Sequence, residues 1–220
     1  MKIYVLAYFT FISLSLFGQV NDFGIWTGGS IGKKINSRTD IKVKGQLRFN
    51  ENVTELGSAY VQTDAEYDLG SGFSAGIAYR FEKKRNTNDF YSTRHRINFN
   101  ASYKLKTDKL DVSLRERFQT QYTDVNSSKG GRLPENYLRN KLTFDYKLSK
   151  RISAYLSGEL WYQLNNPSGN DFDNVRYTAG INYELNENNA LEFFYLISRE
   201  FNVKHPACDY VFGILYNFSL

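Results

Sequence analysis

A regular two-residue alternation of apolar and polar side chains runs through most of this 220-residue chain. Between positions 41 and 50, for example, the odd positions are apolar or glycine and the even positions are all polar. Successive side chains of a β-strand point to opposite faces, so this period predicts strands with one apolar and one polar face. Helical spacing fits none of these segments. The alternation therefore predicts an all-β fold.

The strand-like segments are unusually long. We place eleven of them, at 22–35, 39–51, 58–69, 73–83, 92–105, 110–122, 136–148, 152–164, 174–185, 190–201 and 208–220. Strands of soluble proteins have about 5 or 6 residues, whereas a tilted strand that crosses a bilayer needs about 9 to 11. The predicted fold is a transmembrane antiparallel up-and-down β-barrel of 10–12 strands. The count stays open because segment 22–35 makes eleven, and bacterial single-chain barrels have even numbers.

The N-terminus has the layout of a secretory signal peptide. Lys2 precedes an apolar run from position 3 to 17, which ends at Gly18 and Gln19. A membrane anchor is the alternative, but this run is short for a spanning helix. We expect residues 1–19 to be removed and residues 20–220 to form the barrel domain. The predicted location is the outer membrane of a Gram-negative bacterium, with outer-membrane lipid and the barrel-insertion machinery as partners.

The connections alternate between short turns and longer polar loops, as in outer-membrane barrels with short periplasmic turns. A tyrosine recurs just before the short turns and again near the C-terminus. These residues are Tyr67, Tyr103, Tyr146, Tyr183 and Tyr216. Amphipathic tyrosine rings favour the membrane interface, so we expect a periplasmic aromatic girdle. The alternating residues Tyr216, Phe218 and Leu220 resemble the C-terminal signal that barrels present for insertion, although Leu220 stands where that signal has Phe.

The polar faces carry thirteen bases and ten acids, which nearly balance. In a narrow lumen such side chains are close enough to pair. The predicted lumen charge cluster is Arg94, Arg96, Arg115, Arg117, Arg139, Lys141, Asp64, Glu66, Asp111 and Asp145. One interpretation is a plug of paired charges, in which acids such as Asp111 or Asp145 neutralise Arg115 and Arg117. The other is a weakly anion-preferring pore or pocket for a small anionic solute.

Two polar residues interrupt the apolar faces. Glu116 lies between Leu114 and Phe118, and Asn140 lies between Leu138 and Leu142. An ionised group facing lipid is costly. Either a bulge turns Glu116 inward among the neighbouring arginines, or Glu116 makes a lateral contact with lipid or with a partner.

The raw material for enzymatic chemistry is sparse. The two histidines, His95 and His205, lack a neighbouring serine or paired acids in a hydrolase pattern, although Glu200 lies near His205. One cysteine and no Cys/His cluster predict no metal site, and we expect no cofactor. The net charge of +5 is spread along the chain, which argues against a nucleic-acid interface.

Several short sequences resemble a known family. They are Ile25-Trp26, Leu47-Arg48-Phe49-Asn50-Glu51, Tyr79-Arg80-Phe81, Arg94-His95-Arg96 and Arg115-Glu116-Arg117. Together they resemble the Bacteroidota outer-membrane family known as domain of unknown function 2490. The resemblance implies a small barrel over the whole mature chain and no settled activity.

The sequence thus favours a barrel of structural or small-solute transport type, with a lumen largely filled by paired charges and no catalytic role. The alternative is a barrel-embedded hydrolase that acts on lipid or peptide at the extracellular rim.

Overall fold

Each alternating segment forms a strand in the computed structural model, which describes residues 20–86, 89–123 and 134–220. The strands are β1 (Val20–Lys34), β2 (Thr39–Asn50), β3 (Glu55–Gly70), β4 (Phe73–Arg85), β5 (Tyr91–Lys106), β6 (Leu110–Thr123), β7 (Glu135–Lys147), β8 (Ile152–Gln163), β9 (Phe172–Glu184), β10 (Asn189–Glu200) and β11 (Ala207–Ser219). No helix that could span a membrane occurs in these residues. The predicted signal peptide, residues 1–19, lies outside them.

The strands close into one β-barrel in sequence order, which confirms the predicted fold class. The number is eleven, within the predicted range. With an odd number, one neighbouring pair has to run in the same direction, and this pair is β1 with β11, from Val20 opposite Ala207 to Gly32 opposite Ser219. The expectation of a purely antiparallel barrel is therefore wrong at this seam. All other neighbours are antiparallel.

The strands are strongly staggered around the barrel. The stagger can be measured by following directly paired residues once around the barrel, from Asn21 of β1 through β11 and the other strands to β2. The path returns at Ile35, just after the end of β1, so the stagger is the shift from position 21 to position 35. For eleven strands, this stagger corresponds to a tilt of about 40° from the barrel axis. Strands this tilted need extra length to cross the same thickness, which accounts for their 12 to 16 residues.

One predicted loop is shorter than expected. The predicted strands 39–51 and 58–69 leave positions 52–57 as a connection, but β2 ends at Asn50 and β3 already begins at Glu55, which leaves only positions 51–54. Glu51, Asn52 and Val53 all have positive φ, which turns the chain tightly. The Asp22 carboxylate of β1 accepts hydrogen bonds from the backbone N–H groups of Glu51 (3.0 Å) and Asn52 (2.9 Å) and holds this turn.

The two faces of the wall differ as the alternation predicts. Large apolar side chains are exposed on the outside of nearly every strand, for example Val61 (54%), Phe99 (50%) and Leu156 (63%). Polar side chains fill the inside. The inner wall of β10 and β11 is the exception, where Phe194, Leu196, Val211 and Leu215 form a buried apolar cluster. The barrel therefore has an apolar outer surface and a packed, mostly polar interior.

The register of β6 excludes the bulge interpretation of Glu116. Register shifts occur only near strand ends, at Arg48/Phe49, Asp68/Gly70 and Trp161/Tyr162 of the described ladders. The pairing of β6 with β5 and β7 continues without a shift past Glu116, which stands opposite Ala101 and Asn140. Glu116 therefore keeps its outward direction.

A glycine of β9 makes room for an aromatic ring on the inner wall. Gly180 pairs with Tyr155, whose ring covers it, and a Cβ at Gly180 would lie 2.6 Å from the ring atom Cε1. Gly158 in the neighbouring β8 is open, because a Cβ there would meet nothing closer than 4.0 Å.

We expect Gly180→Ala to destabilise the barrel by about 1–3 kcal/mol, because the Tyr155 ring has to move in a packed interior. Gly158→Ala, the matched control, should be neutral or slightly stabilising. The measurement is the temperature at which the folded band converts to the unfolded band in a semi-native gel. Equal conversion temperatures for both variants would contradict the packing argument.

Candidate functional site

The middle of the lumen is lined by eight basic side chains that point inward from six of the eleven strands. We call them the basic belt: Arg48 of β2, Arg80 of β4, Arg96 of β5, Arg115 and Arg117 of β6, Arg139 and Lys141 of β7, and Arg176 of β9. The inward direction of these residues follows from the strand period, since their sequence neighbours form the apolar outer face.

Three pairs of like charges stand directly opposite each other across neighbouring strands. Arg80 pairs with Arg96, Arg115 with Lys141, and Arg117 with Arg139. Side chains at directly opposite positions are close, and like charges there are destabilising. The belt therefore stores electrostatic repulsion unless carboxylates or bound anions neutralise it.

Glu159 of β8 is the main carboxylate in the belt. Its Oε1 lies 2.7 Å from Arg115 Nη2, and its Oε2 lies 2.7 Å from Arg139 Nη2. The indole N–H of Trp161 donates to the same Oε2 at 3.3 Å. Because Glu159 and Arg139 are almost fully buried, this shared ion pair is a structural centre of the lumen.

A second carboxylate serves one more arginine. Glu82 is buried and lies 3.5 Å from Arg96 Nη2. Arg96 also donates to the side-chain oxygen of Gln121, whose amide in turn donates to Glu135 (3.0 Å). This network ties β4, β5, β6 and β7 together above the middle of the belt.

The remaining five bases have no carboxylate within 4 Å among the described residues. Arg80 and Arg117 donate to amide oxygens, of Gln62 (2.8 Å) and Asn100 (2.6 Å). Arg48 stacks on the Trp26 ring at 3.8 Å. The other two are Arg176, close to both tryptophans, and Lys141. All but Arg80 are only partly buried, so their charge faces the lumen.

Aromatic rings stack on the guanidinium groups of the belt. Arg80 lies 3.7 Å from the centre of the Tyr60 ring, and Arg139 lies 3.7 Å from that of Trp161. Stacking favours a cation and fixes the plane of the guanidinium group without neutralising its charge. The belt is thus held in place while its net charge stays positive.

All residues of the predicted lumen charge cluster lie on inward positions, but they do not form one cluster of paired charges. Arg96, Arg115, Arg117, Arg139 and Lys141 belong to the belt, whereas the four predicted acids do not contact it. Asp111 binds Lys104 (3.0 Å) and Lys147 (3.3 Å) at the end with the short turns. The expected pairing of Arg115 and Arg117 with Asp111 or Asp145 is wrong. The level of these acids is four residues along the strand from Arg115 and six from Arg117, too far for the side chains to meet.

The other predicted members lie apart from the belt. Asp64 accepts from the Gln62 amide at 2.7 Å, and Asp145 from Ser153 at 3.4 Å. Glu66 is exposed near the short turns. Arg94 donates to Ser92 at 3.4 Å near the opposite end.

The sequence interpretation missed the aromatic part of the lining and the central role of Glu159. Trp26, Tyr60 and Trp161 were available as signals, because each occupies a polar-face position of its strand. Glu159 could not be singled out among ten inward acids, since its contacts depend on which strands are neighbours and on their stagger.

The outer-face residues lie where the alternation places them. The five girdle tyrosines are all exposed, between 39% and 45%, toward the short-turn ends of their strands. Tyr216 also hydrogen-bonds Asn189 through its hydroxyl group. Tyr216 is exposed on the outer face of β11, and Leu220 follows the strand end.

The histidines that the hydrolase alternative would use are not assembled into a site. His95 is on the outer face, where its Nδ1 is hydrogen-bonded to the Tyr79 hydroxyl (2.7 Å). His205 lies in the connection between β10 and β11. Glu200 accepts from the backbone N–H of Ala207 (3.1 Å) and thereby closes that connection. No group of metal-ligating side chains is present in the described part of the chain.

Fold and lining together define a closed β-barrel with an apolar outside and a basic, narrow lumen. The chain belongs to the DUF2490 family of proteins of unknown function, which matches it over residues 23–207. The family predicted from sequence is thereby confirmed. No curated protein sequence matches the chain.

Three solved structures show distant similarity to the chain. The KdgM porin is 14% identical, with a TM-score of 0.46 over 78% of this chain and 81% of that chain. The NanC porin is 12% identical, with a TM-score of 0.48 over 79% and 86%. The translocator domain of the autotransporter NalP from Neisseria meningitidis is 14% identical, with a TM-score of 0.42 over 80% and 72%.

The ion pairs of the belt predict opposite effects for two glutamine substitutions. Glu159→Gln should destabilise the barrel by about 3–5 kcal/mol, because Arg115 and Arg139 lose their carboxylate inside the wall. Arg117→Gln should be neutral or stabilising, because it removes a like charge opposite Arg139 and keeps a partner for Asn100. The gel conversion temperature of each variant measures this difference. A loss of stability in Arg117→Gln as large as in Glu159→Gln would show that Arg117 is part of a neutral plug.

Proposed function

We propose that the protein is an outer-membrane barrel of small-solute transport type whose narrow lumen selects anions. The observation that carries this proposal is the base–base pairing in the belt. Three pairs of bases are directly opposed, and five bases have no carboxylate within 4 Å among the residues that the structure describes. Rings of Arg and Lys are what anion-conducting pores use. A solute with carboxylate or phosphate groups would relieve the repulsion that the wall itself leaves in place.

The size of the lumen limits the solute. Side chains occupy most of the cross-section, because four charged residues of the lumen are at most 8% exposed: Arg80, Glu82, Arg139 and Glu159. The bases that stay half-buried, with part of the side chain open to the lumen, are Arg48, Arg117, Lys141 and Arg176. They would provide successive contacts for an anion on its way through. We therefore expect small conductance and strong preference for anions, and not the free diffusion of a wide pore.

The apolar outer surface and the long strands of the barrel support an outer-membrane location. The outward faces are apolar along strands of 12 to 16 residues, long enough for a tilted crossing of a bilayer. We propose that the signal peptide 1–19 is cleaved, that the short turns face the periplasm, and that Tyr216, Phe218 and Leu220 are read by the insertion machinery. Fractionation tests this location, and recovery as a detergent-free soluble monomer would contradict it.

The selectivity test uses the reversal potential in planar bilayers. In a salt gradient the wild type should favour chloride over potassium. Arg117→Gln combined with Lys141→Gln should lower the chloride-to-potassium permeability ratio by about tenfold, because the two substitutions remove two unneutralised positive charges from a narrow lumen.

The matched control removes the same charge from the outer face, by Lys33→Gln with Lys83→Gln. This control should keep the wild-type ratio. A wild type without anion preference, or an equal loss of preference in both double variants, would overturn the proposal.

A further inference from the structure

Two polar side chains form a pair at the middle of the outer face. Glu116 lies near the centre of the 14-residue strand β6, and Asn140 lies directly opposite on β7. Their outward neighbours along the strands are apolar, including Leu114 (45% exposed) and Phe118 (39%). The pair therefore lies at mid-depth of the surface that faces lipid.

Neither side chain is satisfied within its own wall. The Glu116 carboxyl group has no hydrogen-bond or ion-pair partner among the described residues. Asn140 Oδ1 is buried and also lacks a partner there. Polar groups without partners cost several kcal/mol in hydrocarbon, so this arrangement calls for a partner from outside the wall.

The outer surface on one side of the pair carries small side chains and is therefore recessed. The row of directly paired residues that contains it continues from Glu116 to Ala101 on β5 and Ala75 on β4. Small side chains let two membrane walls approach closely enough for hydrogen bonds. Lipid tails offer no hydrogen-bonding group at this depth, and headgroups lie at the interfaces, so lipid does not fit the requirement.

We propose that this patch, Ala75, Ala101, Glu116 and Asn140, is the interface between two copies of the chain in the membrane. The patch is complementary to itself, because the Asn140 amide can donate to the Glu116 carboxyl group of the second copy and the reverse bond forms at the same time. A twofold axis beside the pair produces both bonds with one surface. This inference uses the membrane placement proposed above and is independent of anion selectivity.

The test measures the oligomeric state of refolded protein in detergent and in lipid vesicles, by light scattering and by cross-linking. The wild type should be a dimer. Glu116→Leu with Asn140→Leu should be a folded, heat-modifiable monomer, since leucine suits a lipid-facing position. Glu116→Gln should stay dimeric, because glutamine keeps the hydrogen bond to Asn140.

Ala101→Cys in a Cys208→Ser background should be joined to its copy by a bis-maleimide about 15 Å long, because Ala101 lies one strand outside the pair and its twofold mate is about three strand spacings away. A cysteine at the outward position 181, on the distant strand β9, is the control and should not cross-link. A monomeric wild type in both media overturns the proposal, as does a dimer that persists in the double leucine variant or a cross-link that forms equally at both positions.

Discussion

The structure depends on the closure of the sheet between β1 and β11. A sheet with open edges cannot lie in hydrocarbon, because each unpaired backbone group costs several kcal/mol there. Eleven strands can close only if one pair is parallel, and the ladder from Val20 to Gly32 along β11 supplies it. β1 is rich in glycine, and Gly29 lies so close to the Tyr216 carbonyl group of β11 that a Cβ on Gly29 would lie 2.8 Å from the carbonyl oxygen. The seam therefore relies on backbone pairing and close approach more than on side-chain packing.

Closure also fixes what the lumen contains. Once the stagger is set, Glu159 of β8 reaches Arg115 two strands away on β6, as well as Arg139 on the neighbouring β7. These ion pairs link β6, β7 and β8 on the inner wall. The like-charge pairs are held opposite each other by the backbone pairing of their strands, despite their repulsion. Under the proposed function, stability and selectivity come from different members of one belt: Glu159, Arg139 and Arg115 bind each other, whereas Arg117 and Lys141 would contact a solute.

The fold could be predicted from the sequence because a period of two and strand length report directly on membrane barrels. All eleven segments were found, with ends displaced by a few residues where turns such as 51–54 are tighter than their composition suggests. The lumen was only partly predictable. The inward direction of Arg96, Arg115 and Arg139 follows from parity, but their partners depend on stagger. Asp111 therefore seemed available to Arg115, although it lies at the level of Lys104 and Lys147.

The outward direction of Glu116 follows from the inward direction of its two neighbours in the sequence. It lies between Arg115 and Arg117, and a slip of one residue would exchange the two faces of the whole strand. Such a slip would bring one carboxylate into the lumen but move two arginines of the belt into lipid, where a guanidinium group costs about 2–4 kcal/mol at mid-depth. The apolar residues Leu114 and Phe118 would meanwhile turn into a polar lumen. The register that keeps the arginines inside therefore forces Glu116 outward, and an outward carboxyl group beside Asn140 is tolerable where a second wall supplies its hydrogen bond.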